Sequence, residues 1–326
     1  MRNARHVVLV SAIGAAFVAL GSSGNAATGA SPPTSLEKVN FRLNWVVAGN
    51  HAPFYLAQQK GFWSRCGLDV AMTPGTGSGA TAQLVANGSQ EFGLTDAVSI
   101  TAARAHGLPV KSIGALYQTN PSSILSKKAA GITKLQDVAG KTWGAVPSGS
   151  PYLLLKALFK KYNITTVKEA DVPSPGIAQL KTGQVDFITF FGNEAANVDP
   201  DASKDLNIVW FKDYGQDIYG LAIATGDDYL KSHPRQVACF RQGVIDGFKE
   251  ARANPSEALQ ALYDGAPLTK SSPNVQAALL QGALEFTGTD LLAQSTAKWN
   301  STQQVLFDAG ITPKKVDTDA LFWQPK

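Results

Sequence analysis

Between residues 38 and 116 the sequence alternates short apolar runs with helix-like segments, and glycine, proline or a polar turn marks each junction. Residues 38–44 place Val39, Phe41 and Leu43 on one face, the period of a half-buried strand. Residues 68–72, 92–95 and 110–116 read as three further strands. A helix through Tyr55, Leu56 and Ala57, with Pro53 tolerated in its first turn, should stop at Gly61. A second, over residues 80–87, should stop at Gly88. Such alternation predicts α/β architecture with mainly parallel sheets. Open α/β sheets bind ligands in the crevice at the carboxyl ends of their strands. The turns expected there are Asn44-Trp45, the stretch from His51 to Tyr55, and the glycine-rich run from Gly75 to Ala80.

Beyond residue 224 the pattern changes, and helix-like segments dominate over residues 233–253, 256–263, 274–286 and 297–309. A chain of 326 residues exceeds the usual size of one core, so two lobes are expected. An internal echo supports this. Ala82-Gln83-Leu84 leads through Gly88 to Glu91-Phe92, and Ala178-Gln179-Leu180 leads through Gly183 to Asp186-Phe187. Each copy follows a Pro-Gly turn, Pro74-Gly75 and Pro175-Gly176. The predicted division is residues 36–118 with 225–326 as lobe I and 119–224 as lobe II, with hinge crossings near 117–121 and 224–227.

At the N-terminus, Arg2, Arg5 and His6 precede an apolar run over residues 7–20 and then small residues through Ala27. This is the layout of a secretory signal peptide, here residues 1–27. The run is shorter than the roughly 20 residues a membrane-spanning helix needs. The first cysteine is Cys66, so no lipid-carrying cysteine lies near the cleavage site. A periplasmic protein without a lipid anchor is expected. Without residues 1–27, 27 basic residues face 25 acidic ones, a balance that points to neither nucleic acid nor a polybasic membrane patch. Cys66 and Cys239 would meet an oxidising compartment, where either a disulfide or two buried thiols fits the sequence.

Several of these segments together resemble one family. Arg42-Leu43-Asn44-Trp45, the run from His51 to Ala57, Lys60-Gly61-Phe62-Trp63 and Gly67-Leu68-Asp69-Val70 are similar to the opening of the periplasmic solute-binding proteins for sulfonates, nitrate, taurine and thiamine-pyrimidine precursors. Pro74-Gly75-Thr76-Gly77, the run from Leu84 to Gly88, Phe92-Gly93 and Tyr219-Gly220 extend the match to about residue 255. The resemblance implies a two-lobed type II periplasmic binding protein fold with a helical C-terminal part. It further implies a protein that closes on a small-molecule ligand and delivers it to a cognate ABC permease in the inner membrane; a monomer without metal or cofactor is expected.

The candidate site follows from these turns. Thr76, Gly77, Ser78 and Gly79 would bring backbone N–H groups and a hydroxyl to a helix start, suited to a polar or anionic group. Asn44 and Trp45 offer an amide and a stacking face, and His51 a ring nitrogen. Ser148, Gly149 and Ser150 precede a second helix and form a second polar cradle. Phe191, Asn193 and Glu194 resemble the aromatic-Asn-Glu segment with which pyrimidine-binding members contact the heterocycle. Asp96 and Tyr219 are lesser candidates. The two cradles favour a sulfonate, carboxylate or phosphate, whereas Trp45, Phe191 and Glu194 favour a planar heteroaromatic compound.

Catalytic patterns are sparse. Past residue 27 the histidines are His51, His106 and His233, without metal-ligand spacing, and there is no Gly-x-Ser-x-Gly or Walker motif. Gly75-x-Gly77-x-x-Ala80 is an isolated dinucleotide-type match. A eukaryotic branch of the family synthesises the thiamine pyrimidine with an active-site histidine, which His51 resembles, but its cysteine-rich motif has no counterpart in a chain with two cysteines. The expectation is a binding protein rather than an enzyme. The alternative is an exported enzyme using His51 and Glu194 as acid–base groups on a pyrimidine-like heterocycle.

Overall fold

A computed structural model describes residues 35–147, 149–199 and 202–325. The expected export signal lies outside the described residues. The chain runs β1 (Glu37–Arg42), α1 (Ala52–Gln59), β2 (Leu68–Thr73), α2 (Ser78–Ala86), β3 (Phe92–Asp96), α3 (Ala97–Ala105) and β4 (Val110–Ala115). It continues through β5 (Ser122–Lys127), β6 (Thr142–Ala145), α4 (Ser150–Lys161), β7 (Lys168–Asp171), α5 (Ile177–Thr182), β8 (Phe187–Phe191), α6 (Ala202–Asp205) and β9 (Leu206–Trp210). It ends with β10 (Leu221–Gly226), α7 (Asp227–Ser232), α8 (Pro234–Ala253), α9 (Pro255–Gly265), α10 (Pro273–Phe286) and α11 (Thr296–Asp308).

Two five-stranded sheets result, in the orders β2-β1-β3-β10-β4 and β7-β6-β8-β5-β9. They have the same plan, with β1, β2 and β3 corresponding to β6, β7 and β8. The internal echo falls on equivalent elements, α2–β3 and α5–β8. Its acids do equivalent work: Glu91 accepts from the Asn40 N–H and Asp186 from the Thr142 N–H, each at 2.7 Å, anchoring the neighbouring strand. Its phenylalanines are both fully buried, Phe92 beside Phe41 and Phe187 beside Trp143 in register. Gly88 and Gly183, both at φ +76°, give the left-handed turn that ends each helix.

Both sheets are mixed rather than mainly parallel. β1 pairs parallel with β2 and β3, and β6 with β7 and β8, but β10 and β5 run antiparallel to both of their neighbours. These two are the strands that follow the crossings between sheets, so each enters its sheet from the opposite end. Local alternation carries no information about such a crossing. The return also comes earlier than expected. It lies between β9 and β10, so residues 221–224 belong to the first sheet and the segment at 224–227 is no crossing.

The two crossings lie side by side. The Asn120 N–H donates to Ile218 O (2.8 Å) and the Gly220 N–H to Tyr117 O (3.0 Å). The C-terminal helices touch both halves. α10 packs on the turn Gly49–His51 and on the segment Gly192–Asn197, and Leu306 of α11 enters the second sheet's core. α8 presents Val237, Phe240, Val244 and Phe248 to the first core, where Phe240 stacks on Phe92 and Trp63. Cys66 and Cys239 are joined in a disulfide with Cα atoms 5.9 Å apart, which settles the pairing the sequence left open.

Candidate functional site

The carboxyl ends of β1–β3 and β6–β8 face one cleft, which holds about 720 Å³ of free space including its open mouth. From the first sheet come Asn44 and Trp45 after β1, Gly77 and Ser78 at the start of α2, and Asp96 at the end of β3. From the second come Gly149, Ser150 and Tyr152 after β6, Ser174 and Pro175 after β7, and Thr189, Phe190, Phe191 and Glu194 at the end of β8 and just beyond. Trp45, Tyr152, Phe190 and Phe191 are half-buried aromatic walls. Asp96 and Glu194 are the acids on the lining, and no basic side chain lines it among the described residues.

Backbone geometry fixes the first wall. The Gly75 N–H donates to Trp45 O and the Gly77 N–H to Asn44 O, each at 2.9 Å, tying the glycine-rich turn to the turn after β1. A Cβ on Gly75 would overlap the Leu43 carbonyl oxygen, and Gly77 sits at φ +135°, so both positions require glycine. The expected cradle is therefore narrower than residues 76–79. The Gly77 N–H is already used, Thr76 and Gly79 are exposed away from the cleft, and Ser78 with Gly77 remains on the lining.

On the second wall, Ser150 opens α4, and its buried Oγ has no partner among the described residues. A hydroxyl in that position is available to a ligand at a helix N-terminus. Ser148 lies outside the described residues. Tyr152, which sequence reading missed, stacks on Trp143 at 5.0 Å and donates its hydroxyl to Glu169 (2.8 Å), which holds the ring as a wall. Ser174 and Pro175 were also missed. The echo of Pro74-Gly75 in Pro175-Gly176 was the signal that could have found them.

Glu194 is 8% exposed, and its Oε1 accepts from Asn50 Nδ2 at 2.9 Å. Burial raises its pKa to about 7, against the opposing pull of the Asn50 hydrogen bond. Nearby, burial and the Glu194 charge keep the Tyr117 phenol far above its ordinary range. Glu194 is thus a carboxyl that holds or loses a proton near neutrality, facing the cleft.

His51 is not on the lining. It is 1% exposed, and burial depresses its pKa to about 3, so the imidazole is neutral. Its Nδ1 accepts from the Ala48 N–H (3.2 Å) and its Nε2 meets Asn44 Oδ1 (3.0 Å). A ligand role by direct contact and an acid–base role on a bound heterocycle both need an exposed nitrogen, which this ring lacks. Asn193 lies behind the wall beside α10. Tyr219 is packed on Trp299, and its hydroxyl accepts from the Ser295 N–H (2.9 Å), away from the cleft. Asp96 reaches the lining but spends Oδ1 on the Ser99 N–H (2.7 Å) as the cap of α3. Among the described residues, no group of three or more His, Cys, Asp or Glu converges on a metal site.

Comparison with known proteins adds four findings. The chain is 25% identical over 309 residues to the riboflavin-binding protein RibY of Chloroflexus aurantiacus, covering 88% of this chain and 85% of that protein. It is 35% identical over 113 residues to a 4-amino-5-hydroxymethyl-2-methylpyrimidine phosphate synthase of Saccharomyces cerevisiae, a third of each chain. In fold it is similar to the periplasmic aliphatic sulphonate binding protein SsuA of Escherichia coli, with a TM-score of 0.68, 16% identity and coverage of 90% and 94% of the two chains. The architecture is thus that of the periplasmic binding proteins, two mixed sheets flanked by helices. The NMT1/THI5 like family model matches residues 48–258, more than half of the chain, and the chain belongs to that family.

Proposed function

We propose that this protein is a periplasmic solute-binding protein, exported by its N-terminal segment, that captures a planar nitrogen-bearing solute and delivers it to an ABC permease. The observation that carries this reading is the lining of the cleft. Four aromatic side chains and two acids face it, with no basic side chain among the described residues. A sulfonate, nitrate or carboxylate buried there would meet Asp96 and Glu194 without a cation to offset its desolvation. A neutral or cationic heteroaromatic compound would stack on Trp45 or Phe191 and donate an N–H to Glu194. Similarity over most of its length to a riboflavin-binding protein supports a flat heteroaromatic solute.

The disulfide supports an oxidising compartment. The paired crossings at residues 117–120 and 218–220 are a narrow connection about which the halves can close on a solute. The burial and full engagement of His51 weigh against the exported-enzyme alternative.

Native mass spectrometry of protein purified without refolding should show a carried heteroaromatic compound. Riboflavin and 4-amino-5-hydroxymethyl-2-methylpyrimidine serve as titration probes. Trp45→Ala and Glu194→Ala should each weaken binding about tenfold or more with the fold intact. A carried sulfonate, or affinity unchanged in both variants, would overturn the assignment. Turnover of either probe by the wild-type protein would favour the enzyme reading instead.

A further inference from the structure

The 3₁₀ turn Gly49–His51 is buried beside the cleft and holds one polar group on each wall. Asn50 Nδ2 reaches across to Glu194 Oε1 (2.9 Å), and His51 Nε2 meets Asn44 Oδ1 (3.0 Å). The direction of the second bond follows from the other side of the ring. The Ala48 N–H points at Nδ1 (3.2 Å), so Nδ1 is an acceptor and the ring proton is on Nε2. Nε2–H therefore donates, and the Asn44 atom facing it is the carbonyl oxygen.

A carboxamide carries its oxygen and its nitrogen on opposite sides of one carbon. With Oδ1 held by His51, Asn44 Nδ2 is left for the cleft that Asn44 lines, and it makes no hydrogen bond among the described residues. The turn itself is fixed in place. The Gly49 N–H donates to Gln276 Oε1 (2.7 Å), and a Cβ on Gly49 would overlap the Gln276 backbone. The ring packs near Phe54, 6.5 Å between centroids, and among the described residues no ion pair reaches it.

We propose that His51 is a positioning residue that turns Asn44 into a fixed hydrogen-bond donor, so that the first wall selects a solute edge carrying an acceptor atom. This rests on the reading of the cleft as the solute site. The acceptor is a ring nitrogen or a carbonyl oxygen. A solute offering only C–H or N–H at that edge leaves the Asn44 amide unpaired or opposed. Glu194, held by the same turn, takes a donor from the other side, so the favoured solute combines an acceptor and a donor on its rim.

The first test needs no solute. In the full-length protein labelled with ¹⁵N-histidine, one imidazole should be neutral and protonated on Nε2, unchanged from about pH 5 to pH 8. Loss of its signals in His51→Phe assigns it. A ring protonated on Nδ1, or one that titrates in this range, would overturn the proposal. The second test compares 4-aminopyrimidine with aniline, which keeps the amine and lacks the ring nitrogens.

Asn44→Asp, which replaces the donor by an acceptor of the same shape, should cut the preference for the pyrimidine about tenfold. His51→Phe should cut it similarly without touching the probe. Preference unchanged in Asn44→Asp overturns the proposal, including the case in which His51→Phe fails to fold. If neither probe binds the wild-type protein, the solute class proposed above fails, and the imidazole tautomer alone decides the role of His51.

Discussion

Glu194 and His51 show how burial sets chemistry one residue at a time. Folded Glu194 holds its proton more tightly than the unfolded chain does, with a pKa of about 7 against 4.5. Its contribution to stability therefore falls as pH rises from 4.5 to about 7 and is level above. His51 behaves in the opposite way, with a folded pKa of about 3 against 6.5, so its contribution is lost as pH falls from 6.5 toward 3. Between pH 4.5 and 6.5 the two slopes oppose each other. Glu194→Gln removes one of them. Its stability should rise more steeply with pH over that interval and exceed wild type above pH 7 by up to roughly 3 kcal/mol. Thermal melts from pH 4.5 to 8 decide this, and parallel curves for the two proteins would contradict it. The sequence pointed to both residues as site members because each sits at a turn after a strand. It could not show that one faces the cleft and the other faces away, since that depends on which side of the turn α10 packs.

At the scale of elements, α10 aligns the two walls. It packs on the turn that holds Asn50 and His51 and on the segment that carries Glu194. Gly282 allows the second contact, because a Cβ there would overlap the Asn193 carbonyl oxygen. Gly282→Ala should push the Gly192–Asn197 segment off the helix. The expected result is a loss of about 1–3 kcal/mol in chemical denaturation and weaker solute binding. An alanine variant with wild-type stability and affinity would show that the contact is slack.

Strands and helices were legible where period and punctuation agree. β1, β2, β3 and β4 lie within one or two residues of the expected spans, and Gly88 and Gly183 end their helices as expected. The glycine-rich turn was legible as a turn but not as a scaffold, because only contact with Asn44 and Trp45 shows the Gly75 and Gly77 amides already spent.

For the whole molecule, the disulfide is the longest-range covalent constraint, joining Cys66 to Cys239 across 173 positions. It fastens the segment after α1 to α8 beside the stacked Trp63 and Phe240, all within the first half. Closing so long a loop restricts the unfolded chain strongly. Cys66→Ser with Cys239→Ser should therefore cost about 2–5 kcal/mol in chemical denaturation. A denaturation midpoint unmoved by the double substitution or by reductant would refute this.

By itself, the sequence determined an α/β chain of two related halves with polar turns at strand ends, because hydrophobic period, glycine stops and the echo at 82–92 and 178–187 act locally. Tertiary structure alone decided the antiparallel entry of β5 and β10, the Cys66–Cys239 bond and the lining of the cleft. It also decided that Asn44, rather than His51, lines the cleft. Each of these depends on which distant segments share a surface, and only the packing of the two halves and α10 sets that.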